Sequence, residues 1–372
     1  AGFEPVRINP RRLVHLTRRI RELGFRLSVV LGYVSDQWEL IEVLPEEDDG
    51  PLLGFAVDLG TTRLAFYLID LRTHRILDEA SAANPQIPFG EDILTRILFA
   101  REEANRERLQ DLLIASFNET MRDALTRHGL VPSRVVAVAV AGNTTMSHFL
   151  LGLDPANICK EPYIPAANQF PFFRGEDLRL AMHPDGPVYV FPNVGSYFGG
   201  DLIAGILASG LHRSESTSIL VDVGTNAEVV VGNRDWLIAC AGAAGPALEG
   251  GVVERGMMAA PGAIDRVRID TVTFEPSYHV LGDEKPKGLC GSGLIDLMAE
   301  MFMAGLLTIQ GKINTHIDSP RVTKGPDGTA YTIAYGRETA DGQDITVSDI
   351  DVGIFLKSDR KSTRLNSSHI PL

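Results

Sequence analysis

Two short stretches of this sequence carry the residue types that handle a phosphate group. The first is Gly54-Phe-Ala-Val-Asp58-Leu-Gly60-Thr61-Thr62, and the second is Ile219-Leu-Val-Asp222-Val-Gly224-Thr225-Asn226. In each, an apolar β-type run ends in an acid, a glycine and hydroxyl-bearing residues, and a second β-type run follows. Each therefore reads as a hairpin with a tight polar turn. Gly60 and Gly224 can take positive φ and let backbone N–H groups come close to an anion. Thr61, Thr62 and Thr225 add hydroxyl donors beside those amides. Asp58 and Asp222 would repel a phosphate, but they make sense as ligands of Mg²⁺, which takes one or two carboxylates plus substrate oxygens. Two such turns facing each other would grip a nucleotide triphosphate tail. Either turn alone also fits an ordinary hairpin, and it is the repetition in equivalent strand contexts that selects the phosphate reading.

Other polar positions sit where elements begin. Val135–Ala141 is a continuous apolar run, the pattern of a buried parallel strand, and it breaks at Gly142-Asn143-Thr144-Thr145-Met146 before a helix. That junction fits an anion site or simple capping by Asn143 or Thr144. Val188–Phe191 is a similar strand leading through Pro192-Asn193-Val-Gly195 to Asp201 at the start of a helix, Leu202–Leu211. Asp201 fits either a helix-dipole acid or a catalytic carboxylate. Gly291, Ser292 and Gly293 open an apolar helix, Leu294–Leu307, where the glycines either hug a nucleotide or allow close packing. Residues 241–251 form another glycine-rich loop. Met298, Met301 and Met303 read as core, and Cys290 as a small buried residue.

The elements that must position these residues are those of an α/β protein. Pro10–Leu23 predicts an amphipathic helix with arginines on its polar side. The runs Phe25–Leu31 and Gln37–Leu44 predict strands, and residues 45–51 a linker. Strands are expected at Phe66–Asp70 and Arg75–Ala80, helices at Glu91–Ala100 and Glu103–His128, and β-hairpin material at 263–281. Ile345–Asp351 predicts a strand and a capped helix start that does not develop. Residues 358–372 are polar, basic and aperiodic, and are expected to be a disordered, non-native tail.

The chain has 372 residues, is 44% hydrophobic and 22% charged, and carries a net charge of −13. It can bury a large core, and its charge argues against nucleic acid as a partner. Cys159, Cys240 and Cys290 lie far apart, with no CxxC pair. They suit a reducing cytoplasm and supply neither a disulfide framework nor a complete iron–sulfur or zinc site. No apolar run is long enough for a transmembrane helix.

Several blocks together resemble one branch of the ASKHA superfamily, the reductive activators of corrinoid proteins. They are Val57-Asp-Leu-Gly-Thr-Thr62, Ala83-Asn-Pro-Gln-Ile-Pro-Phe-Gly-Glu-Asp92, Ala141-Gly-Asn-Thr-Thr-Met146, Pro192-Asn-Val-Gly195, Val221-Asp-Val-Gly-Thr-Asn-Ala-Glu228, Ala244-Gly-Pro-Ala-Leu-Glu-Gly-Gly251 and Leu289-Cys-Gly-Ser-Gly-Leu-Ile295. The resemblance implies a duplicated, actin-like and ribonuclease H-like α/β fold with mixed sheets and flanking helices. Residues 1–50 would be the end of a middle domain and a small α+β piece. Residues 51–215 would be a first ASKHA subdomain and 216–357 an incomplete second one.

The function implied is ATP-driven reduction of an inactive Co(II) corrinoid protein to Co(I). Asp58 and Asp222 would lie near Mg²⁺, Gly60–Thr62 and Gly224–Asn226 on phosphates, Gly291–Gly293 at the nucleotide, and Asp201 would orient water or act as base. A 2Fe–2S cluster belongs to an N-terminal domain of the family that this sequence does not match. The family's adenosine loop is expected after residue 351, where no Gly-Gly pair occurs, so this piece is expected to bind ATP weakly or not at all. The partner implied is a corrinoid protein, and a homodimer stays open. An ASKHA small-molecule kinase and a non-catalytic docking module are the competing readings.

Overall fold

The strand that carries Asp58 buries Leu53, Phe55, Val57 and Leu59 and lies inside the main sheet. A computed structural model describes residues 6–90, 92–223, 227–242, 253–325, 328–363 and 370–371. The chain divides into two units, Ala1–Gly210 and Leu211–Leu372.

The first unit opens with β1 (Arg7–Ile8), α1 (Leu13–Glu22), β2 (Leu27–Val34) and β3 (Gln37–Pro45). Then come β4 (Leu53–Leu59), β5 (Arg63–Asp70), β6 (Arg75–Ala83), α2 (Ile93–Phe99) and α3 (Glu103–Arg127). They are followed by β7 (Val135–Gly142), α4 (Thr144–Leu151), β8 (Phe173–Arg174), β9 (Pro187–Val190) and α5 (Gly200–Ser209). The main sheet has the order β6-β5-β4-β7-β9-β8. β4 pairs antiparallel with β5, and β4, β7 and β9 run parallel. The mixed sheet is the one expected. Its parallel strands are the continuous apolar runs, because both faces of such strands are covered. On α3, Leu109, Leu113, Phe117 and Met121 recur every fourth residue and are fully buried. Phe117 meets Phe66 of β5 edge to face, with ring centroids 5.1 Å apart.

The opening piece docks on this unit through charge. The Asp185 side chain, 2% exposed, sits 3.0 Å from Arg12 Nε and accepts from Asn9 Nδ2. His183 Nε2 lies 3.0 Å from Glu42, and Arg134 forks onto both Asp48 oxygens at 2.8 and 2.6 Å. Residues 1–50 thus belong to the first unit and do not stand apart from it.

The second unit contains β10 (Ser218–Val223), β11 (Ala227–Asn233), β12 (Trp236–Gly242), β13 (Ala263–Ile269), β14 (Pro276–Val280) and β15 (Gly288–Leu289). It continues with α6 (Gly291–Met303), β16 (Val322–Gly325), β17 (Gly328–Ala334), β18 (Ile345–Ser348), α7 (Asp349–Thr363) and β19 (Ile370–Pro371). β10, β11 and β12 form an antiparallel meander like that of β4, β5 and β6. Among the described residues, no parallel strand extends this sheet as β7 extends β4. Two further three-stranded sheets follow, β14-β13-β15 and β16-β17-β18.

Two expectations are corrected here. The helix starting at Asp349 does develop, and it runs through residues 358–363, which were expected to lack order. Its start is a full capping box: Ser348 N donates to Asp351 Oδ2 at 2.8 Å, and Asp351 N donates to Ser348 Oγ at 3.2 Å. Met298 and Met301 are core, but Met303, the last residue of α6, is 76% exposed.

Gly293 is where α6 meets β13. A Cβ there would lie 2.1 Å from the Ile264 carbonyl oxygen, with backbone on the other side unable to yield cheaply. Gly293→Ala is therefore expected to lower the unfolding free energy by about 2 kcal/mol or more, measured as a drop in denaturant midpoint at unchanged slope.

Candidate functional site

The turn after β4 is held from beneath by the segment that follows β6. Asn84 Nδ2 donates to the Gly60 carbonyl at 2.9 Å, and Asn84 N to the Thr62 carbonyl at 2.9 Å. Between them, Arg96 Nη1 donates to the Thr61 carbonyl at 2.7 Å. All three carbonyls of Gly60–Thr62 are thus drawn to one side. In a trans peptide the N–H points opposite to the C=O, so the amides of Thr61 and Thr62 face away from that anchor. Among the described residues, neither amide has a protein acceptor. Two adjacent N–H groups without a protein acceptor are a donor arrangement of the kind that suits an anion.

Gly60 serves this turn differently from expectation. It does not take positive φ. A Cβ would lie 2.3 Å from the Arg63 carbonyl oxygen, so close approach across the turn is what demands glycine.

The parallel strands bring the other candidates to the same end of the sheet. Register places Asp58 opposite Ala65 and Ala141, and Leu59 opposite Gly142. Val57 and Leu59 are buried, so Asp58 projects from the other face, where it is exposed between two alanines. Just past Gly142, Asn143 does two things. Its Oδ1 accepts from Met146 N at 2.9 Å, capping α4, and its Nδ2 donates to Thr61 Oγ1 at 3.0 Å. With its oxygen accepting from Asn143, the Thr61 hydroxyl keeps its own proton to donate elsewhere. Gly199 closes the cluster. A Cβ there would lie 2.3 Å from Asn143 Cα and 2.7 Å from Asp201 Oδ1. Asp201, in the first turn of α5, accepts from Leu202 N through Oδ1 at 2.8 Å. The ends of β4, β7 and β9 thus gather Asp58, Thr61, Asn143 and Asp201, the usual location of a ligand in a parallel α/β sheet.

Asp222 lies next to last in β10, paired with Glu228 and exposed, as Asp58 is in β4. Gly224, Thr225 and Asn226 lie outside the described residues, as does the glycine-rich loop from 243 to 252. Of the Gly291–Gly293 set, Gly293 has a packing role, and Ser292 Oγ lies 3.3 Å from the Cys290 thiol. Cys290 is buried, as expected. Among the described residues, no group of three or more His, Cys, Asp or Glu side chains could enclose a metal. None of their helices is long and apolar enough to cross a membrane.

Sequence reasoning missed Arg96 and the roles of Asn84 and Asn143 toward the turn. Asn84 opens the block Ala83–Asp92, so a signal was present, but nothing in the spacing of Arg96 announced where its side chain goes.

Residues 53–214 match the family model described as the RACo middle region, and residues 216–360 match that of the C-terminal domain of RACo, the ASKHA domain. The chain belongs to the RACo family. The family's middle region thus falls on 53–214, where the sequence led us to expect a middle domain ending by residue 50. Similar proteins include the corrinoid activation enzyme RamQ of Eubacterium limosum, 30% identical over 84% of this chain and 54% of that protein. Another is a [Co(II) methylated amine-specific corrinoid protein] reductase of Methanosarcina barkeri, 27% identical over 69% of this chain and 52% of that protein. A solved reductive activator for corrinoid, iron-sulfur protein superposes with a TM-score of 0.78 at 34% identity, covering 96% of this chain and 57% of that one. The RACo-family chain described here spans about half the length of the curated relatives it matches. Its ASKHA domain is of an ATPase type that points to nucleotide binding.

Asn143→Asp separates the two jobs of that residue. It keeps the cap acceptor, so stability should stay within about 0.5 kcal/mol. It removes the donor to Thr61 and adds negative charge, so affinity for inorganic tripolyphosphate should fall at least about fivefold, read by calorimetric titration alongside a denaturation curve.

Proposed function

We propose that this chain supplies the nucleotide-binding part of an ATP-dependent activator that returns an inactive Co(II) corrinoid protein to Co(I). The observation that carries the reading is the Gly60–Thr62 turn, its carbonyls anchored and its Thr61 and Thr62 amides facing away from that anchor, beside Asn143 at the end of β7. The names of its relatives supply the corrinoid partner.

The roles follow from chemistry. The amides of Thr61 and Thr62 and the Thr61 hydroxyl donate to phosphate oxygens. Asp58 fits Mg²⁺, because an exposed carboxylate between two alanines leaves room for the ion's retained waters. When bound, that ion neutralises phosphate charge. Asp201 orients the attacking water or takes its proton. Asp222 and the Gly224–Asn226 turn take the corresponding roles in the second unit, and Gly291 and Ser292 serve the nucleotide.

The three separated cysteines do not fit a 2Fe–2S cluster, which needs four ligands. Binding energy of the nucleotide can offset an unfavourable transfer only through states it binds unequally.

The test uses a polypeptide that carries this chain at the length of its relatives. ATP hydrolysis and the Co(II)-to-Co(I) change of a corrinoid protein, followed by its visible absorption, should both occur in the parent and both vanish in Asp222→Ala. Undiminished turnover in that variant would remove Asp222 from the metal role, and a parent without turnover would overturn the reading.

A further inference from the structure

Arg96 is fully buried, yet it is held almost entirely by neutral groups. Its Nε donates to the Gly90 carbonyl at 2.7 Å, and its Nη1 donates to the Thr61 carbonyl at 2.7 Å and lies 3.9 Å from the Met146 sulfur. Among the described residues, its Nη2 has no hydrogen-bond partner. The acid that acts on it electrostatically is Asp92. That carboxylate is already engaged in capping α2, accepting from Thr95 N and Thr95 Oγ1 at 2.8 Å each. Among the described residues, no carboxylate forms an ion pair with Arg96. Burial pulls the guanidinium below its ordinary range without discharging it.

A buried cation held by neutral carbonyls and lacking a directly paired carboxylate is costly unless something compensates it. Arg96 lies one peptide beneath the outward-facing amides of Thr61 and Thr62. An anion seated on those amides would be separated from the guanidinium only by the turn itself, where little water screens the attraction. We propose that Arg96 is the fixed positive charge of this phosphate site. It acts from behind the turn, never touching the ligand, and the ligand's own negative charge compensates it. Arg96 is in this sense a positioning and charge-supplying residue, and the inference rests on the phosphate reading of Gly60–Thr62.

The experiment compares orthophosphate, pyrophosphate and tripolyphosphate binding, by calorimetry and by the rise each gives in melting temperature. In the parent chain, affinity should climb with ligand charge. Arg96→Met should flatten that climb and weaken tripolyphosphate at least about tenfold. Arg96→Lys, which keeps the charge but cannot bridge both carbonyls, should preserve the climb, with tripolyphosphate within about threefold of the parent. A merely structural arginine would lower the melting temperature of the unliganded chain without changing how affinity depends on ligand charge. An unchanged climb in Arg96→Met would therefore overturn the inference. Should Arg96→Met not fold, Arg96→Gln, which keeps a donor but not the charge, takes its place, a flattened climb supporting the inference and an unchanged one overturning it. If the parent binds none of the three anions, the phosphate reading itself fails and this inference with it. If the parent binds and removal of the charge leaves the climb unchanged, only the role of Arg96 is lost.

Discussion

Three hydrogen bonds to consecutive carbonyls give the first unit its chemical character. Left alone, the Gly60–Thr62 turn could point its amides in several directions. Asn84 and Arg96 remove that freedom by taking the carbonyls, and peptide planarity does the rest. The anchor is itself buried: Asn84 is 1% exposed and Arg96 fully enclosed. It is braced by Gln86, which donates to the Leu109 carbonyl of α3. The core formed by α3 and the sheet thus holds the turn's orientation, so packing energy is spent on the aim of two N–H groups.

The same logic extends along the sheet edge. Asn143 joins the end of β7 to the turn through Thr61 Oγ1, and Gly199 brings the start of α5 against Asn143. Each strand end reaches the cluster because its neighbour is in parallel register with it, Leu59 beside Gly142 and Val140 beside Val190. A slip of one residue by β4 against β7 would turn Asp58 into the core and bury a charge.

Much of this was legible in the sequence, for identifiable reasons. The Asp-x-Gly-Thr order at Asp58 and Asp222, the apolar runs at Val135–Ala141 and Val188–Phe191, and the long four-residue periodicity of α3 are local patterns, and local patterns determine elements. What the sequence hid depends on which side chain reaches which backbone across the fold. Arg96 sits on a short helix whose pattern gives no hint that one residue turns inward as a cation. Gly60 was legible as necessary but for a different reason, since a clash with Arg63 across the turn is a matter of three-dimensional closeness. The helix beyond Asp349 was underestimated because polar composition was given more weight than its capping box.

The amides of Thr61 and Thr62 combine a rigidly held backbone with no protein acceptor among the described residues. Order and protection, which normally rise together, are uncoupled there. Proton exchange with solvent at these two positions should slow when an acceptor arrives. Two backbone positions thereby become a natural isotopic gauge of occupancy, legible in an otherwise well-protected sheet without any label being added.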